Sequence, residues 1–190
     1  SSVVSGASPL RTVFPATTLG RQLEQVARII AARDRLGVSR QIYLVTTGGF
    51  DTHVSQLGTH DSLMLQVGQA MAAFYAATEE LGISQQVVTF TESEFGRTLG
   101  PNSSAGSDHG WGAHHFVLGG AVRGGDFYGT FPAVALNSPD DVTGRGVWLP
   151  TLSVDQYVAT LAAWLGVDES ELNAVLPNLK NFPVRKLNFL

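Results

Sequence analysis

Residues 36–53 read LGVSRQIYLVTTGGFDTH, and residues 81–98 read LGISQQVVTFTESEFGRT. In each, a Leu-Gly pair ends a periodic apolar segment, a β-rich run follows, and a loop with acidic side chains comes next. Gln41–Thr47 (QIYLVTT) and Gln86–Thr91 (QVVTFT) carry the β-branched and aromatic residues that suit a pleated, half-buried surface, so both are predicted strands. Helix–strand units resemble one another in unrelated proteins, and the echo is therefore used only for topology. Alternation of helix and strand implies a mostly parallel sheet covered by helices.

Working outward, Leu19, Leu23, Val26, Ala27 and Ile30 recur at three- and four-residue spacing and predict a helix from about Leu19 to Leu36, stopped by Gly37. Leu63, Val67, Met71 and Phe74 predict a second, from about Asp61 to Leu81. His60 belongs to its start. A third short strand is expected at Phe116–Leu118 inside a long polar stretch, Leu99 to Arg145, of the kind that is usually functional. Ser153 and Gln156 form a Ser-x-x-Gln capping box for a helix reaching about Leu165, and Asp168 and Glu171 open another short one. The apolar tail from Pro177 to Leu190 is expected to dock on the body. Residues 1–18 read as an extended lead-in or a severed connection, and 19–190 as the C-terminal part of one domain.

Composition narrows the function. Apolar residues make up 44% of the 190, charged residues 15%, and the net charge is −4, a globular balance without the basic stripe a nucleic-acid surface needs. No apolar run approaches the roughly 18–20 residues that span a bilayer. The chain has no cysteine, which excludes thiolate ligands and disulfides. Gly119-Gly120 and Gly124-Gly125 lack a P-loop Lys-Ser/Thr, and no G-x-G-x-x-G follows a strand.

All five histidines lie between His53 and His115, most of them in loops expected to follow strands, where open parallel sheets bind ligands. Asp51 and His53 follow the Gly48-Gly49 turn. Glu94 and Arg97 follow QVVTFT. Asp108, His109, His114 and His115 come from SDHGWGAHH. Carboxylates and imidazoles without sulfur suit a divalent ion, Zn²⁺ or Mn²⁺, in a hydrolytic site, and Arg97 suits an anion clamp. Each has a structural alternative: Asp51 as a turn residue, Glu94 and Arg97 as a surface ion pair, and His114 and His115 as neighbours pointing opposite ways.

The words GGFDTH, FTESEFGRT, SDHGWGAHHFVLGGAVRGG, GRGVWLPTLSVDQYVATLAAWLGV and LPNLKNF, from about residue 40 to 182, resemble an uncharacterised bacterial family placed in the alkaline phosphatase and sulfatase superfamily. The resemblance implies a three-layer α/β/α sandwich, alkaline phosphatase-like, with metals at the strand ends. It implies Asp51 and His53 as ligands, Glu94 or the Asp108-His109 pair as the next, and one of His109, His114 or His115 as the later histidine. It also implies a periplasmic or extracytoplasmic location. No segment matches the superfamily's nucleophile strand, so none is assigned. The function expected is metal-dependent hydrolysis of phosphate or sulfate esters. The partner is then a small anionic ester or a sulfated or phosphorylated glycan, and a missing N-terminal portion or another protomer would complete the domain. The alternative is an exported, non-catalytic metal- or ligand-binding protein.

Overall fold

The computed structural model describes residues 10–190; the part of the expected lead-in at 1–9 lies outside the described residues. Two compact units emerge. One comprises residues 10–90, Pro101–Asp108 and Leu118–Gly120; the other comprises Thr91–Gly100, His109–Val117 and Ala121–Leu190.

The first unit is built on a helix pair. Helix α1 (Thr18–Ala31) begins where the Thr17 hydroxyl accepts the Gly20 N–H at 3.0 Å. It buries the stripe Leu19, Leu23, Val26, Ala27 and Ile30. A short continuation, α2 (Arg33–Leu36), ends at Gly37 with φ 65°, a left-handed stop that a side chain would resist. Helix α3 (Gln56–Glu80) starts earlier than its apolar periodicity suggests, with His60 in its second turn, and sets Ala70, Phe74 and Ala77 against α1. Alanines at this seam let the two backbones approach. Glu80, the last residue of α3, accepts the N–H of Arg11 (2.7 Å) and Thr12 (2.9 Å), which pins the described end of the lead-in.

The expected parallel sandwich does not form. Gln41–Thr47 is extended but belongs to no strand. Tyr43 and Val45 pack on the helices, whereas Ile42 and Leu44 stay exposed. In place of a neighbouring strand, the Gln22 carboxamide donates to the Thr46 carbonyl (3.2 Å) and accepts its N–H (3.1 Å). The sheets have two strands each. One pairs β1 (Val88–Phe90) with β4 (Val117–Gly119), and the other pairs β2 (Gly96–Arg97) with β3 (His109–Gly110), the latter antiparallel. The alkaline phosphatase-like architecture is overturned for a physical reason. The β-rich runs have the composition of strands, but a parallel sandwich needs several adjacent extended segments and crossovers, and these runs meet either a side chain or a single partner strand.

The second unit holds α4 (Val154–Leu165) and α5 (Leu172–Val175). The capping box is present: Ser153 Oγ accepts the Asp155 N–H (3.1 Å) and Gln156 Oε1 accepts the Ser153 N–H (2.9 Å). Ala159 packs with Leu172 and Leu179, all fully buried. The tail docks as its apolar content predicts. Phe189 is buried, its carbonyl accepts Arg123 N–H, and the Thr160 hydroxyl accepts Leu187 N–H at 2.7 Å. Among the described residues no helix is long and apolar enough to cross a membrane.

Candidate metal centre

In the first unit, residues 101–108 lie along residues 52–56. Ser107 N–H donates to the Thr52 carbonyl, Ser55 N–H to Ser104, and Gln56 N–H to Ala105, while Val54 and Ala105 form an antiparallel bridge. The approach is close enough that a Cβ on Gly106 would collide with the His53 carbonyl. Ser55 (φ 47°) and Ala105 (φ 55°) both adopt the left-handed conformation, which costs of order 1–3 kcal/mol at a residue other than glycine.

This strained junction brings Asp51, His53 and Asp108 together. His53 Nε2 stands 2.9 Å from Asp51 Oδ1, and His53 Nδ1 stands 3.4 Å from Asp108 Oδ1. Their side chains keep between 37% and 57% of their surface open to solvent, so a dissolved ion can reach them. Exposed pairs of this kind add roughly 0–1 kcal/mol to stability. Fold stability alone therefore gives no account of the strain that assembles them.

A neutral imidazole has one N–H. If it is donated to Asp51, the nearer carboxylate, the lone pair on Nδ1 faces an Asp108 oxygen, an apposition that a bound cation or a second ring proton would relieve. Two ligands each about 2.1 Å from a tetrahedral Zn²⁺ lie about 3.4 Å apart, which matches the spacing of Nδ1 and Oδ1. The donor set therefore fits a divalent ion held by His53 Nδ1 and Asp108, with Asp51 orienting the ring through Nε2–H, the carboxylate–histidine–metal pattern.

Asn102 was not foreseen. Its Nδ2 donates to Asp108 Oδ1 (3.2 Å) and to the His53 carbonyl (2.9 Å), and its Oδ1 accepts the N–H of Ser104 (2.9 Å) and Gly106 (3.1 Å). The only signal in the sequence is an Asn that precedes Ser and Gly in a polar loop, an ordinary turn signature.

The remaining predicted ligands belong to the second unit. His109, on β3, stacks on Phe95 with ring centres 3.9 Å apart, and Arg97 on β2 lies 5.6 Å above the same Phe95 ring. Glu94 is exposed in the turn before β2. His114 packs on Phe131 at 4.7 Å and lines a cleft of about 120 Å³ with Phe127, Tyr128 and Trp148. His115 stacks near Tyr157 at 6.0 Å. Partial desolvation lowers the His115 pKa; the Glu92 carboxylate opposes this and His114 adds to it. Burial and Glu92 together push the Tyr157 phenol up. The two adjacent histidines thus face different rings.

The family model described as a protein of unknown function (DUF1501) matches residues 11–178. No curated protein and no solved structure matches the chain.

Proposed function

The chain belongs to the DUF1501 family, and we propose that it is a metal-dependent hydrolase-like domain whose centre is built on His53 and Asp108, acting on phosphate or sulfate esters. The observation that carries the reading is the 3.4 Å separation of His53 Nδ1 and Asp108 Oδ1, with Asp51 on the opposite ring nitrogen. A divalent ion held by His53 and Asp108 would supply Lewis-acid polarisation of a phosphoryl or sulfuryl oxygen and activation of water. Asp51 holds the proton on Nε2 and so keeps Nδ1 free of one. Arg97 keeps its proposed role as a clamp for an anionic group, on the planar donor fork of its guanidinium. Glu94, His109, His114 and His115 remain candidate ligands only by resemblance.

The motifs FTESEFGRT and SDHGWGAHH support ester hydrolysis through their resemblance to the alkaline phosphatase and sulfatase superfamily. That resemblance is also the sole support for a periplasmic or extracytoplasmic location and for an anionic ester or glycan as substrate. A second reading, a non-catalytic metal- or ligand-binding protein, is favoured by one observation. The hydroxyl residues flanking the centre, Thr52 and Ser107, are buried at 6% and 2% exposure, and neither is presented as a nucleophile.

The test is metal analysis of the purified chain followed by calorimetric titration with Zn²⁺ and Mn²⁺. Binding near one equivalent, with tighter Zn²⁺, is expected, and His53→Ala should abolish it. Undiminished binding by His53→Ala would sink the proposed centre. Turnover of aryl phosphate or aryl sulfate esters by the loaded protein separates the two readings.

A further inference from the structure

We infer that Asn102 is a positioning residue, whose carboxamide fixes the Asp108 carboxylate and the His53 main chain in the arrangement that receives a divalent cation. The inference rests on the metal-centre reading above and assigns a role that reading does not contain. One side chain makes four hydrogen bonds, and its two halves do different work. The Oδ1 half accepts from Ser104 and Gly106, which builds the turn. The Nδ2 half donates to Asp108 Oδ1 and the His53 carbonyl, and the turn does not need it.

An aspartate completes such a turn as well as an asparagine does. At this position it would set a second carboxylate beside Asp108 and leave the His53 carbonyl without that donor. The amide is therefore matched to the two predicted ligand residues rather than to the turn. Donation to Asp108 Oδ1 restricts rotation of the carboxylate, and donation to the His53 carbonyl fixes the backbone from which the imidazole projects. Hydrogen-bonded partners of this kind change metal affinity about 10–100-fold when removed.

The experiment compares the full chain with its Asn102→Ser variant, in which a hydroxyl can still accept within the turn, though more weakly. Zn²⁺ affinity is measured by calorimetry, coordination by the visible spectrum of the Co²⁺ form, and stability by melting the metal-free proteins. The expected result is an affinity loss of about 10–100-fold together with a changed Co²⁺ spectrum. A purely structural role would lower the metal-free melting temperature and leave affinity and spectrum alone, and that outcome overturns the inference. Failure of the unaltered chain to take up Zn²⁺ or Co²⁺ sinks the metal-centre reading and this inference with it. If the variant does not fold, NMR of the unaltered protein decides. The Asn102 side-chain amide protons should shift and exchange more slowly on adding Zn²⁺, and unmoved amide signals overturn the role.

Discussion

Glu80 shows how one carboxylate can tie a distant segment to a helix end. The backbone N–H of Arg11, with the Thr12 hydroxyl and N–H and the nearby guanidinium, outweighs desolvation and holds its pKa down to about 2, from an ordinary 4.5. A carboxyl depressed in the folded state stabilises the fold fully above its unfolded pKa. That contribution is lost as pH falls from about 4.5 to about 2. Melting curves recorded across this window should show Glu80→Gln less stable than the unaltered chain at neutral pH, with the gap closing toward about pH 2. A gap that stays constant with pH would mean that the carboxylate charge is not what holds residues 11 and 12. The centre at Asp51, His53 and Asp108 follows a different logic, because its members are exposed and joined by strained backbone. Asp51 and His53 stand out in the sequence because a Gly-Gly turn and two ligand types stand together within one loop. Asn102 was not, since its partners His53 and Asp108 become its neighbours only when residues 101–108 lie along 52–56.

Helices were the legible elements, and the cap of α4 shows one reason. Ser153 and Gln156 satisfy backbone N–H groups at the start of α4 from within four residues, and Gly166 (φ 105°) ends it, so all the information is local. Replacing the cap should cost about 1 kcal/mol, read as a lower urea midpoint for Ser153→Ala. Gln156→Ala should cost more, because its Nε2 also donates to the Val184 carbonyl and so anchors the tail. Equal losses would show that the tail contact adds nothing. Of the strands read from the sequence, those at 86–91 and 116–118 form as β1 and β4, and the one at 41–47 does not. QIYLVTT is extended, with alternate residues packed inward, as its β-branched and aromatic content implies. Whether an extended segment joins a ladder depends on which backbone lies beside it, and at Thr46 that place is taken by the Gln22 side chain. The step from β-rich runs to a parallel sheet failed there, as did the strand-end geometry expected for the ligands. Residues 52–56 and 101–108 meet instead through a loop-to-loop bridge at Val54 and Ala105.

At the scale of the whole molecule, the division into two units makes metal binding a test with a location. His53, Asp108 and the orienting Asp51 all fall in the first unit. Any ion they bind is linked to the folding of that unit, because residues 101–108 must lie against 52–56 for His53 and Asp108 to meet. A ligand that binds only the folded form stabilises it by about 2.7 kcal/mol at a hundredfold excess over its dissociation constant. For a chain of this size that corresponds to roughly 5–10 °C in melting temperature. Calorimetric scans with saturating Zn²⁺ should therefore show an upward shift of that size, reversed by a chelator and absent in His53→Ala. If the units unfold as separate transitions, only the one containing α1 and α3 should move, which limited proteolysis during the scan can identify. A shift confined to the transition of α4 and the C-terminal tail would instead draw the ligands from His109, His114 and His115. A curve indifferent to both Zn²⁺ and chelator would leave the strained junction at Ser55 and Ala105 without a metal to account for it.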